Sequence, residues 1–256
     1  MSTCHHCLSA NVIKKGVTLR GKKLGSGKQR YRCKDCKRTF VEDGLNWFVS
    51  DDRKSLVDGL LLERISLRGI CRVMKVSLRW LLVYIKKRYA QMPEDLNFKA
   101  SRVCVKEGDK IYVQLIDCQA DELWSFVYRR DNVKYIWIAL HTQTRQIIAF
   151  HVGDRSRESA RKLWEAIPEW MKGICYFHTD DWDSYKTVIP GERHECSKQK
   201  KYTNYLERFN NTLRQRVSRL VRETLSFSKD LDYHIGAIKY FICHYNLERQ
   251  MKTQAA

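Results

Sequence analysis

The sequence predicts an α/β fold, a mixed-sheet core preceded by a cysteine-rich module and a helical one. Three observations predict it. Four of the ten cysteines form two CxxC pairs near the start of the chain. Apolar residues recur at helical spacing between residues 51 and 89. From Ile111 the pattern changes to β-rich runs, broken by one helical segment and followed by further helices.

Composition narrows the function before any motif is read. Among 256 residues, 48 Lys and Arg oppose 29 Asp and Glu, a formal net charge of +19 with His neutral. With 43% hydrophobic residues and only 12 Gly and 3 Pro, the chain is neither a disordered tail nor collagen-like. No apolar run approaches the ~18 residues of a membrane span, and the start, MSTCHHCLSA, lacks a secretory pattern. These features predict a cytoplasmic protein whose partner is a polyanion. The charge is uneven: residues 1–100 carry 22 basic and 9 acidic side chains, residues 101–180 carry 12 and 11, and residues 181–256 carry 14 and 9. This predicts a basic front end on a nearly neutral core, with a break at Met92-Pro93-Glu94-Asp95.

In the first module, Cys4-His5-His6-Cys7 and Cys33-Lys34-Asp35-Cys36 supply four thiolates, enough to close a tetrahedral structural Zn²⁺ site. The insert between them holds a strand-like run at 11–16, a Gly/Lys-rich tip at 24–27 and a return run at 29–33. This is the layout of a zinc ribbon, expected over residues 1–48. A redox-active CxxC would need a βαβ setting that the pattern lacks. The other six cysteines (Cys71, Cys104, Cys118, Cys175, Cys196 and Cys243) read as small buried hydrophobes.

In the second module, Asp51 and Asp52 suit a helix start, and Ser66 and Ser77 can cap two further short helices. The break Lys75-Val76 between the last two gives a helix-turn-helix, expected over residues 49–92. Leu78, Leu81, Leu82 and Ile85 face inward on the last helix, while Arg79, Val83, Lys86 and Lys87 share the opposite face. A recognition helix would present that face to the major groove. A linker is expected over 93–110.

In the core, strands are predicted at 111–116, 135–140 and 146–152, a helix at 159–167, and a buried strand at 173–179 that ends on Asp180-Asp181. Three acids stand out: Asp121 in an acidic pair with Glu122, Asp180 at a strand end, and Glu207, which opens a helix. Carboxylates from three elements suit hard cations such as Mg²⁺ or Mn²⁺, and a pair of these can serve the attacking and leaving oxygens of a phosphodiester. Asn210 and Arg214 share a helix face with Glu207. Residues 198–222 contain eight basic side chains and no acid but Glu207, as befits a metal beside nucleic acid. Asp117 and Asp181 are further candidates that chemistry alone does not separate from Asp121 and Asp180.

Ribbon, helix-turn-helix and acidic core together resemble the insertion-sequence-one family of bacterial transposases along nearly the whole chain. The sharpest pieces are Asp121-Glu122-Leu123-Trp124-Ser125-Phe126-Val127, Thr179-Asp180-Asp181-Trp182-Asp183-Ser184-Tyr185, Leu206-Glu207-Arg208-Phe209-Asn210 and the run from Leu213 to Lys229. The resemblance implies an RNase H-like catalytic domain over 111–256, with a DDE triad on Asp121, Asp180 and Glu207. It places a basic residue on Arg214, and His194 and Lys198 match a His…Lys pattern before the Glu. Phosphate binding is expected of Arg214 and Lys198. Where relatives often have Thr-Asp-Gly-Trp, this chain has Thr179-Asp180-Asp181-Trp182. Many relatives divide the two halves between reading frames that are joined by frameshifting, whereas here one chain holds both.

The implied activity is transposition: binding to terminal inverted repeats, cleavage, and joining to target DNA by a homodimer or larger assembly on the bacterial nucleoid. Two other readings predict different behaviour. A nuclease on the same fold would cut and never join. A DNA-binding regulator with an inactive core would lose nothing on Glu207→Gln. Last, Leu231, Ile235, Ile238, Ile242 and Tyr245 form a helical stripe that serves either core packing or a dimer seam.

Overall fold

The computed structural model describes residues 2–4, 6–17, 28–41, 49–100, 104–107, 110–113, 115–180, 182–196, 204–221 and 226–254. The chain divides into two compact units, one of residues 1–60 with 68–77 and one of 61–67 with 78–256.

The first unit opens on a three-stranded antiparallel sheet of β1 (Val12–Val17), β2 (Gln29–Cys33) and β3 (Thr39–Val41). Its strands are mostly exposed, so little apolar surface holds them. The small core is Cys4, Tyr31, Cys33 and Phe40, with the cross-strand pair Tyr31 and Phe40 stacked at 5.6 Å. A sheet this thin needs a further tie. Helices α1 (Asp51–Leu61) and α2 (Leu67–Met74) follow and bury Val57, Ile70 and Met74. The Arg53 guanidinium donates to the Met74 carbonyl at the end of α2, where Lys75 turns left-handed (φ 51°) and stops the helix.

In the second unit, α3 (Leu78–Ala90) packs on the long final helix. A backbone hairpin of β4 (Cys104–Glu107) and β5 (Lys110–Val113) comes next. The main sheet has five strands: β6 (Ile116–Phe126), β7 (Val133–His141), β8 (Ile147–Gly153), β9 (Cys175–Thr179) and β10 (His194–Cys196). Their order is β10-β9-β6-β7-β8. The β6-β7-β8 meander is antiparallel, while β9 and β10 run parallel to β6. The crossover from β8 to β9 carries α4 (Arg157–Ala166) and α5 (Glu169–Lys172), and α6 (Asp183–Lys186) follows β9. Helices α7 (Asn204–Arg216) and α8 (Leu231–Gln254) complete the unit.

The period-2 pleat of β6 and β7 divides the core into two layers. Leu123, Ile136, Ile138 and Leu140 pack with Leu206, Phe209 and Leu213 of α7 and with Ile238, Phe241 and Ile242 of α8. Ala120, Trp137 and Ala139 pack on the other face with Ala160, Leu163, Phe177 and Tyr185. The mixed α/β architecture is thus present.

The strand read at 111–116 is divided. Residues 110–113 pair with 104–107, and the core strand starts at Ile116 and runs on through Asp121. In the C-terminal stripe, Ile238, Ile242 and Tyr245 are core, Ile235 packs against it and only Leu231 is exposed. Cys118, Cys175 and Cys243 are buried as expected, but Cys71 on α2 is only half-buried and Cys196 on the edge strand β10 is exposed. The side chain of Cys104 lies outside the described residues. No helix among the described residues is long and apolar enough to cross a membrane.

Candidate active site

The acidic residues meet where β9 stops. The last paired positions of β6 and β9 are Gln119 and His178, so β6 runs on beyond its neighbour and leaves a notch. Asp121 and Glu122 lie on β6 along this unpaired stretch, and Asp180 follows the last residue of β9. Oxygens of Asp121, Glu122 and Asp180 come within 4.8 Å of one another. The pleat turns neighbours apart: Asp121 pairs with Ile138 on the α7 face, and Glu122 pairs with Trp137 on the α4 face.

Helix α7 is laid along β6 by two side-chain contacts. Gln119, itself buried, accepts the Leu206 N–H at 2.9 Å and so caps the first turn. One turn on, Asn210 Nδ2 donates to Asp121 Oδ2 at 3.1 Å. Glu207 lies between these contacts, outside the 4.8 Å cluster but near enough to act on Asp121 by its charge. Burial and the neighbouring Glu122, with Asp180 and Glu207, push the Asp121 carboxyl up to about 7. The Glu122 carboxyl is likewise raised, by burial and then by Asp180.

Glu122 has its own partners. Arg155 Nε donates to its Oε1 at 2.7 Å, and Tyr185 OH donates to its Oε2 at 3.1 Å. Sequence reasoning gave Glu122 and Tyr185 no role of their own and missed Gln119 and Arg155. Glu122 carried a signal as half of an acidic pair and Tyr185 as the end of the Thr179–Tyr185 motif; Gln119 and Arg155 have no motif.

Among the remaining candidates, Asp117 faces the same side of β6 as Asp121 but contacts His178 Nε2 at 3.4 Å, away from the notch. His194 Nε2 lies 2.7 Å from Thr179 Oγ1, immediately before Asp180. Arg214 lines a crevice with Trp124, Ser125, Phe126 and Arg219, one turn beyond Asn210. Lys198 and Asp181 lie outside the described residues. On α3, Arg79, Val83, Lys86 and Lys87 are exposed while Leu81 and Ile85 are buried.

The cysteine cluster is separate. The sulfurs of Cys4, Cys7, Cys33 and Cys36 all lie within 4.8 Å of one another. Cys4 and Cys36 are 3.6 Å apart, and Cys7 and Cys33 are 3.5 Å apart. A tetrahedron with ~2.3 Å metal–sulfur bonds has edges of about 3.8 Å. The two knuckles repeat one geometry. Cys4 N donates to Ser9 O and Cys33 N to Arg38 O, at 2.8 and 2.9 Å. A left-handed residue, Leu8 or Lys37, follows each second cysteine. Backbone N–H groups of Cys36 and Asp35 lower the Cys33 thiol to about 7.

The class defined by fold and site is a mixed α/β unit with an acidic notch beside a helix, and comparison with known proteins narrows it. The chain belongs to the IS1 transposase family, whose model matches residues 114–248, more than half of it. It is 35% identical over 125 residues to the insertion element iso-IS1n protein InsB of Shigella dysenteriae, a match covering 49% of this chain and 92% of that one. It is 29% identical over 128 residues to the insertion element IS1 protein InsB of Shigella sonnei, covering 50% of this chain and 95% of the relative. The IS1 4 protein InsB of Escherichia coli K12 matches at the same identity over 74% of its length. Asp121, Asp180 and Glu207 fall inside the family match, and the cysteine cluster falls before it.

Proposed function

We propose that the protein is a DDE transposase that binds the terminal inverted repeats of its element, cleaves a phosphodiester at the element end and transfers the freed 3′-OH to target DNA. The observation that carries this reading is the notch at the end of β9, where Asp121 and Asp180 meet beside the first turns of α7. Asp121, Asp180 and Glu207 hold Mg²⁺ or Mn²⁺ in this reading. The residues suit such a cation. The donors are hard oxygens, and Asp121, raised by burial and then by its acidic neighbours, gains from a divalent ion that offsets that crowded charge. The buried Oδ1 of Asn210 has no hydrogen-bond partner among the described residues and offers one more oxygen. Bound there, divalent cations would supply Lewis-acid stabilisation to the attacking and leaving oxygens of an in-line displacement.

The chain's own residues supply orientation. Gln119 and Asn210 register α7 on β6, and Glu207 between them is close enough for its charge to act on Asp121. Arg214 offers a guanidinium to a DNA phosphate about 10 Å further along the helix, and Lys198 offers a second cation. Water attacks the phosphorus in line and the 3′ oxygen leaves with a proton. The resulting 3′-OH then attacks a target phosphorus and displaces the target's 3′ oxygen, so each bond formed replaces one broken.

Upstream, residues 1–48 form a zinc ribbon closed by Cys4, Cys7, Cys33 and Cys36, and residues 49–92 a helix-turn-helix that meets DNA through Arg79, Lys86 and Lys87. Residues 93–110 link them to an RNase H-like domain at 111–256. Two ends must be held at once, so the working form is a homodimer or larger, acting on the bacterial nucleoid.

The test is cleavage and joining of a labelled element end with Mg²⁺. Asp121→Asn, Asp180→Asn and Glu207→Gln should each reduce both steps by about 10³-fold, the several kcal/mol of charge stabilisation lost, while end binding persists. Full activity in Glu207→Gln contradicts this assignment.

A further inference from the structure

Asp121 is fixed by a strand ladder, but Asp180 is not, because it follows the end of β9. Its carbonyl accepts from Thr179 Oγ1 at 2.8 Å, and a short chain of contacts holds its side chain. Asp180 Oδ1 accepts the backbone N–H of Trp182 at 3.3 Å. The Trp182 ring lies against the Arg155 guanidinium, 3.9 Å from its centroid. Arg155 grips Oε1 of Glu122 with Nε at 2.7 Å and Nη2 at 2.6 Å. The Glu122 side chain is 2% exposed, and its other oxygen is taken by Tyr185. Glu122 is thus an anchor with both oxygens engaged, although it belongs to the acidic cluster.

We propose that Arg155 is a positioning residue: clamped between Glu122 and Trp182, it braces Asp180 beside Asp121 so that both carboxylates reach one divalent cation. The proposal rests on the reading that Asp121 and Asp180 are metal ligands. A guanidinium near three carboxylates could instead act only by its charge, and the two roles differ in sign. Losing a mere counter-charge leaves the site more negative and tightens cation binding. Losing a brace frees Asp180 and weakens it.

The experiment is Mn²⁺ titration followed by electron paramagnetic resonance, on the full chain supplied with zinc and without DNA. The proteins compared are wild type, Arg155→Gln, Arg155→Lys, Trp182→Leu and Asp180→Asn, each checked by circular dichroism. The Arg155 side chain is 39% exposed, so its variants should fold. Arg155→Gln should weaken Mn²⁺ binding about tenfold. Arg155→Lys, which keeps the charge but not the planar stack or the two-nitrogen grip, should fail to rescue it. Trp182→Leu should weaken binding similarly, and the double variant Arg155→Gln/Trp182→Leu should be no worse than either single one. Unchanged or tighter binding in Arg155→Gln, or full affinity in Arg155→Lys, overturns the brace while leaving the metal reading intact. Wild-type affinity in Asp180→Asn overturns the metal reading and the brace with it.

Discussion

Asp121 and Glu122 are neighbours in sequence and opposites in the sheet. One faces α7 and shares Asn210; the other faces α4 and is engaged by Arg155 and Tyr185. The acidic pair was legible as a pair, but the division of labour was not. It depends on which pleat faces which helix, and on an arginine that comes 33 residues later. A second buried residue shows the same limit. His234 Nε2 lies 3.1 Å from Ser125 Oγ, and its Nδ1 lies 2.9 Å from Ser228 Oγ. Ser125 donates to the Lys134 carbonyl, so it accepts from Nε2–H, and Nδ1 accepts from Ser228. Burial first, then Arg219, lowers the His234 pKa to about 4. A histidine depressed on folding contributes stability above its unfolded pKa of about 6.5 and loses it as pH falls toward 4. We expect the unfolding midpoint to fall over that window, by the equivalent of a few kcal/mol at most, and the slope to flatten in His234→Gln. An unchanged slope in that variant would assign the acid sensitivity elsewhere.

At the scale of elements, helix starts were the most readable feature. α1, α2 and α3 begin at Asp51, after Ser66 and after Ser77, where short polar side chains can cap. Strand boundaries were less readable, because the run at 111–116 is β-rich throughout. Backbone pairing with 104–107, which no local pattern announces, is what divides it. The CxxC knuckles were readable for a different reason: spacing alone brings four sulfurs together, and the structure sets them 3.5–3.6 Å apart in each cross pair. Since β1–β3 bury so little, the metal should contribute most of their stability. Elemental analysis should find about one zinc per chain, and Cys33→Ser/Cys36→Ser should lose it together with the order of strands β1, β2 and β3. A zinc-free preparation that keeps these strands folded would rule out a structural metal there.

At the scale of the molecule, the charge excess has two locations. Arg79, Lys86 and Lys87 are exposed on α3, whereas Arg214 and Arg219 border a crevice next to α7. The first group should govern end binding. Replacing any one of Lys86 and Lys87 by Ala should reduce the salt slope of binding to an element end by about one, without changing cleavage chemistry once DNA is saturating. A slope unmoved by both would take DNA contact away from α3. Joining DNA, and not only cutting it, is what would make this core a transposase. The most direct measurement is strand transfer from a pre-cleaved, labelled element end to plasmid DNA with Mg²⁺. A joined product is expected with the wild-type chain and none with Asp180→Asn. Cleavage of an intact end with no joining of the pre-cleaved one would contradict this and mark the protein as a nuclease.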